Sequence, residues 1–218
     1  MHEFLIKILA LLALISYLSP MTKLQALKRR LRPGKVYRRE DLAQWSNAVD
    51  RHLKQLVGEG VLTKLRNGLY LRPKKTAFGE APAEERELVE SFLKDGRFLL
   101  ASPNAYNALG VGTTQLYNET VVYNHKRHGR FNLGGRWFDF RMKPNFPSKM
   151  TKEFLMVDLL NNLDRLAEDH DEVLERVKEK AAANNPRLLE RVAHDYGKVR
   201  VKKFFSEVLD SEVEVHAA

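Results

Sequence analysis

Asn47, Arg51, Lys54 and Gln55 are spaced so that one face of a helix carries all four. Their side chains suit recognition rather than bond making: Arg pairs with guanine, Asn or Gln with adenine, and Lys with a phosphate. Lys64 and Arg66 follow within twelve residues of Lys54, next to Asn67, and Arg38 and Arg39 stand just upstream. A set of donors and cations in this order points to a polyanion with readable edges.

The elements that must position these residues are legible from periodicity. Val49, Leu53, Leu56 and Val57 fall at i, i+4, i+7 and i+8, the apolar stripe of an amphipathic helix. Asn47 is the expected N-cap, with Asp50 three residues on as a weak capping-box partner. Gly58 and Gly60 end the helix around Glu59. Val61 to Arg66 and Leu69 to Arg72 then flank Asn67-Gly68, which supplies the two positive φ angles of a tight type I′ hairpin turn. Lys64, Arg66 and Arg72 make the hairpin basic. Upstream, Thr22 to Leu31 reads as a helix with Leu24, Leu27 and Leu31 on one face, broken by Arg32-Pro33-Gly34. Lys35 to Tyr37 is a short extended lead-in. Arg38 to Trp45 reads as a second helix with Leu42 and Trp45 toward the core and Arg38 and Arg39 placed to meet a phosphate.

Helix, helix, helix, hairpin is the order of a winged helix-turn-helix. It predicts contact with duplex DNA through Arg38, Arg39, Asn47, Arg51, Lys54, Gln55, Lys64, Arg66 and Asn67. The competing reading is an ordinary amphipathic surface helix whose polar face is only solvated. Charge favours the first. Met21 to Phe78 holds 15 Lys and Arg against 4 Asp and Glu, a net of +11, whereas the whole chain is +9. Residues 79–150 are near neutral and residues 151–218 are acidic, so the positive charge is concentrated where the recognition pattern lies.

At 218 residues and 44% hydrophobic content, the chain has room for two small domains. It contains no cysteine, which excludes disulfides, thiolate metal sites and a cysteine nucleophile. Phe4 to Leu18 is almost wholly apolar but short for a membrane span. As a signal peptide it is poor: Glu3 offsets Lys7, and no small-x-small cleavage site follows Ser19-Pro20. Residues 1–20 read first as an upstream extension ahead of Met21; an anchor and a docked extra helix remain the alternatives. A DNA-binding role places the body in the cytoplasm, with no membrane partner.

Pro73 to Pro82 has the composition of a linker. The expected organisation is therefore residues 1–20 as an extension, 21–75 as the winged helix, 79–150 as a small mixed α/β domain and 151–218 as a helical region. In the middle part, Glu84 to Lys94 reads as a helix and Phe98 to Leu100 as a strand. Ser102-Pro103 starts a short helix closed by Gly110. Thr120 to Tyr123 reads as a strand, and Arg130 to Leu133 and Arg136 to Arg141 as a hairpin around Gly134-Gly135. Four helices follow. Phe154, Val157, Leu160, Leu163 and Leu166 mark the first, and Asn184-Asn185-Pro186 stops the second. The tail after Asp210 is expected to be loose. The fold class is α+β: an N-terminal winged helix-turn-helix plus a small mixed α/β domain with C-terminal helices.

Catalytic constellations are scarce. His125 and His128 stand with Lys126 and Arg127 in a predicted turn, without the further ligands a metal site needs. Asp139 is a single in-strand carboxylate, read as a surface residue rather than a general base. Leu133-Gly134-Gly135 lies between strands, not before a helix, so it is no phosphate loop. Asp164, Glu168, Asp169 and Asp171 read as a solvated face and a helix cap. No catalytic residue, cofactor or metal is expected, and the chain is not expected to be an enzyme.

The order of these segments resembles a known family. A wing ending Gly68-Leu69-Tyr70-Leu71-Arg72-Pro73 is followed by Ala77-Phe78-Gly79, then by Ser102 to Gln115 (SPNAYNALGVGTTQ), and then by the Gly-Gly hairpin. In this wording the chain is similar to the AbiEi family of type IV antitoxins from about Met21 to about Leu166. The resemblance implies a winged helix that represses its own promoter. It also implies a second part that neutralises a nucleotidyltransferase-like toxin encoded alongside, without a long-lived complex. Carried over by position, Arg51, Lys54 and Gln55 would read DNA with Lys64 and Arg66 in support, and a homodimer on DNA is compatible. Two other readings stand beside it: a winged-helix repressor whose second domain binds a ligand or dimerises, and a nucleic-acid enzyme using the winged helix for targeting, which the missing acid–base and metal residues disfavour.

Overall fold

The computed structural model describes residues 22–182 and 185–217. Phe4 to Leu18 and Asn184 lie outside the described residues. The chain divides into two compact units, Met1–Ser91 and Phe92–Ala218. The architecture is α+β, with helices and, among the described residues, three small sheets.

In the first unit, α1 (Lys23–Arg30) starts at a capping box: Thr22 Oγ1 accepts the Gln25 N–H and the Gln25 side chain accepts the Thr22 N–H. β1 (Val36–Arg38), the short α2 (Arg39–Ala43) and α3 (Val49–Gly58) follow. The hairpin is β2 (Thr63–Arg66) and β3 (Leu69–Leu71), and β3 lies between β1 and β2 in an antiparallel sheet. The expected lead-in is thus a third strand, with Val36 opposite Leu71 and Arg38 opposite Leu69. Leu27, Leu31, Leu42, Val49, Leu53, Leu56 and Leu62 form one core, flanked by Tyr37 and Trp45.

Three local expectations change. The turn is not type I′: Gly68 alone has a positive φ, 77°, Asn67 does not, and the ladder shifts register between Lys64 and Arg66. A bulge thereby absorbs what a second left-handed residue would have done. The linker segment is a two-stranded ribbon, β4 (Lys74–Thr76) on β5 (Gly79–Ala81), with the Thr76 hydroxyl donating to Gly79 O at 2.8 Å. The division into units falls between Ser91 and Phe92, inside α4 (Glu85–Leu93), not at this ribbon.

The second unit holds a four-stranded sheet of β6 (Phe98–Ala101), β7 (Thr120–Asn124), β8 (Gly129–Leu133) and β9 (Arg136–Met142), in the order β6-β7-β9-β8. β7 and β9 run parallel, so the Gly134-Gly135 hairpin folds β8 to the outer edge. Ser102 caps a 3₁₀ turn, Pro103–Leu109, which Gly110 closes at φ 65°. Four helices follow: α5 (Lys152–Asn162), α6 (His170–Ala182), α7 (Pro186–Tyr196) and α8 (Val199–Ala217). Leu99, Val121 and Tyr123 share one core with Phe154, Val157, Leu160, Val177, Leu189 and Phe205. Residues 151–218 therefore belong to the same core as the sheet. The last helix runs through Ala217, where a loose tail was the expectation; Val201 and Phe205 anchor its first half in that core.

Candidate nucleic-acid interface

α3 presents the predicted face. Leu53 and Leu56 are buried beneath it, and Arg51, Lys54 and Gln55 are exposed above it. The stripe differs in two places. Val57 is 36% exposed, and His52 takes an inner position at 7% exposure. His52 is tolerated there because its Nδ1 lies 2.7 Å from Ser46 Oγ. The capping expected of Asn47 is absent, and the Ser46 hydroxyl accepts the Ala48 N–H at 3.2 Å just ahead of the helix. The N-cap position falls on Ala48, which has no capping side chain, and Asn47 is exposed outside the helix. That leaves the Asn47 amide available to a partner.

The side chains of Arg51, Lys54 and Lys64 make no hydrogen bond or ion pair among the described residues. The remaining basic positions are engaged. Gln55 Nε2 donates to Glu59 Oε1 at 2.9 Å, and Lys28 pairs with the same carboxylate, which ties α1 to the end of α3. Arg38 holds Asp41 through Nε at 2.8 Å and Nη2 at 2.6 Å, with Glu40 at 3.4 Å. Arg39 holds Asp50 through Nε at 2.6 Å and Nη2 at 2.5 Å. The Arg39 hydrogen bonds keep the Asp50 carboxyl below the ordinary carboxylate range. Neither arginine is thus an open phosphate donor in this conformation. Arg72 is also structural: its Nη1 donates to Val61 O at 2.8 Å and its N–H to Lys35 O at 2.9 Å, strapping the base of the hairpin. Lys64, Arg66 and Asn67 are exposed on β2 and its turn.

The backbone gathers several of these groups. The Arg39 N–H donates to Gly68 O at 2.9 Å, so the start of α2 meets the hairpin turn. Arg39 in turn grips the first turn of α3 through Asp50. Arg39, Asp50 and the Asn67-Gly68 turn therefore lie together, with Arg51 next in the chain.

No protein-family profile and no curated protein sequence matches the chain. Solved structures offer a likeness of fold. The crystal structure of the RV2827C protein from Mycobacterium tuberculosis superposes with a TM-score of 0.54 at 18% identity, over 87% of this chain and 75% of that one. Likeness at that identity is likeness of fold.

The second unit carries a polar cluster that the sequence did not reveal. Asp158 is fully buried and accepts the hydroxyls of Tyr106 at 2.8 Å and Tyr123 at 2.7 Å. Asn162 Nδ2 approaches both hydroxyls and donates to Asp158 O at 2.7 Å, while Arg141 donates to Asn162 Oδ1 at 2.7 Å. Lys143 Nζ is 3.7 Å from Asp158 and 3.9 Å from the centre of the Tyr123 ring. Burial, then the Asp158 charge, pushes both tyrosines up, and burial pulls the Lys143 ammonium down. The signal was present: apolar residues on all sides of α5 leave it no solvated face, so Asp158 had to be inside. Asp139 pairs with Arg141 at 2.6 Å rather than standing alone. His125 stacks on Phe146 with ring centres 4.6 Å apart. Among the described residues no group of three or more His, Asp or Glu is placed to hold a metal, and no helix is long and apolar enough to cross a membrane. Of the acidic patch, Glu168 accepts the N–H groups of Thr114 and Gln115, Asp169 caps α6, and Asp164 pairs with Arg200.

Proposed function

We propose that this protein binds duplex DNA through a winged helix-turn-helix, with α3 in the major groove and the β2–β3 hairpin as its wing. In this reading it represses its own promoter and serves as the antitoxin of a nucleotidyltransferase-like toxin encoded beside it. The observation that carries the DNA-binding part is the exposed face of α3 and β2. There the side chains of Arg51, Lys54 and Lys64 have no hydrogen-bond or ion-pair partner among the described residues, in a segment of concentrated positive charge. Unengaged cations on a packed helix keep their donors for an external polyanion. The antitoxin part rests on the resemblance of Ser102 to Gln115 and the surrounding segments to the AbiEi family, and a cytoplasmic location follows from the DNA-binding role.

One observation favours a second reading, a repressor controlled by a small ligand. A cavity of about 370 Å³ in the second unit is lined by Leu160, Leu163, Leu174, Val201 and Phe204, with Asp164 and Arg200 among its polar residues. A growth assay separates the two. The adjacent gene is induced alone and then with the full chain. Growth arrest relieved by the full chain supports the antitoxin; arrest that persists removes that role for this pair and leaves the repressor.

A further inference from the structure

We propose that Asp50 is a base-reading residue that selects cytosine, and that Arg39 is the residue that positions it. The inference rests on the DNA-binding reading above. Asp50 lies in the first turn of α3, the part of a recognition helix that meets base edges. Its side chain is 71% exposed, yet both carboxylate oxygens are gripped by one guanidinium from α2. Favourable interaction with the helix dipole accounts for an acid at this position. It does not account for a bidentate clamp that reaches from a different helix.

The clamp resolves two problems that a carboxylate faces on this surface. Beside phosphates, an unpaired negative charge is repelled; Arg39 cancels it. A swivelling carboxylate reads nothing; the planar fork fixes its orientation. The Arg39 N–H bond to Gly68 O fixes the clamp itself against the hairpin turn. An ionised carboxylate accepts about four hydrogen bonds, and Arg39 occupies two, so each oxygen keeps acceptor capacity facing outward. What remains can only accept. In the major groove cytosine offers its N4 amino group as a donor with no acceptor on the same base. Guanine offers N7 and O6, thymine offers O4, and adenine sets N7 beside its donor. A fixed acceptor therefore favours cytosine and is repelled by guanine and thymine.

The test is selection of duplexes from a randomised oligonucleotide pool by the full chain, by Asp50→Asn, by Arg39→Ala and by Arg39→Lys. The wild type should select sites with one position fixed as cytosine, where a T·A pair lowers affinity about tenfold or more. Asp50→Asn should lose that preference, because an amide also donates. Arg39→Ala should blur the same position, and Arg39→Lys should not restore it, because an ammonium cannot hold both oxygens. An unchanged base profile for Asp50→Asn overturns this inference alone. A wild-type chain that recovers no duplex from the pool overturns the DNA-binding reading and this inference with it, and one that recovers duplexes with no position fixed as cytosine overturns this inference alone.

Discussion

The Tyr106 hydroxyl donates to Oδ2 of Asp158 at 2.8 Å, across 52 residues of sequence. It joins the Ser102 to Gln115 segment to the buried face of α5. A hydrogen bond to a buried charge contributes about 1.5–3 kcal/mol. Tyr106→Phe should therefore lower the unfolding free energy by that amount in urea titrations. Tyr117→Phe should cost less, since its hydroxyl accepts the Ala167 N–H at the surface. Equal losses for the two would mean that the Asp158 cluster is not a centre of stability.

Tyr106 and Tyr123 are held protonated by burial and by the neighbouring Asp158 charge. Their pKa values are raised in the folded state, so their stabilising effect is full below the unfolded tyrosine value, about 10. It is lost as pH rises above that value, because the unfolded chain then releases protons that the folded chain retains. Of the 7 tyrosines, these two should be missing from an absorbance titration of the folded protein to about pH 11. Their appearance below pH 10 would contradict the buried placement.

Gly197 follows α7 with an ordinary negative φ, yet a Cβ there would lie 2.4 Å from Ala193 O. The obstacle is backbone, which cannot rotate away. Gly197→Ala should destabilise the second unit by about 1–3 kcal/mol, read as a lower melting temperature. A melting temperature equal to wild type would show that the α7–α8 corner yields.

Much of the fold was legible because it rests on local rules. The Leu27, Leu53 and Leu56 stripes and the Ser102-Pro103 start each encode one element, whereas Asn185 and Pro186, read only as a stop, also open α7, where the Asn185 side chain accepts the Leu188 N–H. What the sequence hid depends on contacts far apart in the chain. β1 is a strand only because β3 pairs with it. Ser46 is buried beside His52, six residues on, and α3 follows its N-cap Ala48 without a side-chain cap. The apolar surroundings of Asp158 on α5 mark it as buried, but its partners Tyr106 and Tyr123 arrive from elsewhere in the chain. In the candidate interface, spacing placed Arg51, Lys54 and Lys64 on the surface correctly. It could not distinguish them from Arg38, Arg39 and Arg72, whose guanidinium groups are already held by Asp41, Asp50 and the Val61 carbonyl.

In the proposed function, α3 and its hairpin bind duplex DNA. That binding is tested most directly by fluorescence anisotropy of the full chain with the duplex upstream of its own gene, over a range of salt. Wild type should bind with an affinity that falls steeply as salt rises. Arg51→Ala should weaken binding to that duplex by about 1–3 kcal/mol with less effect on random duplex, and Lys64→Ala should reduce the salt slope by about one unit. Binding that neither substitution changes, or no binding to duplex at low salt, would show that α3 and its hairpin are not the DNA-binding surface.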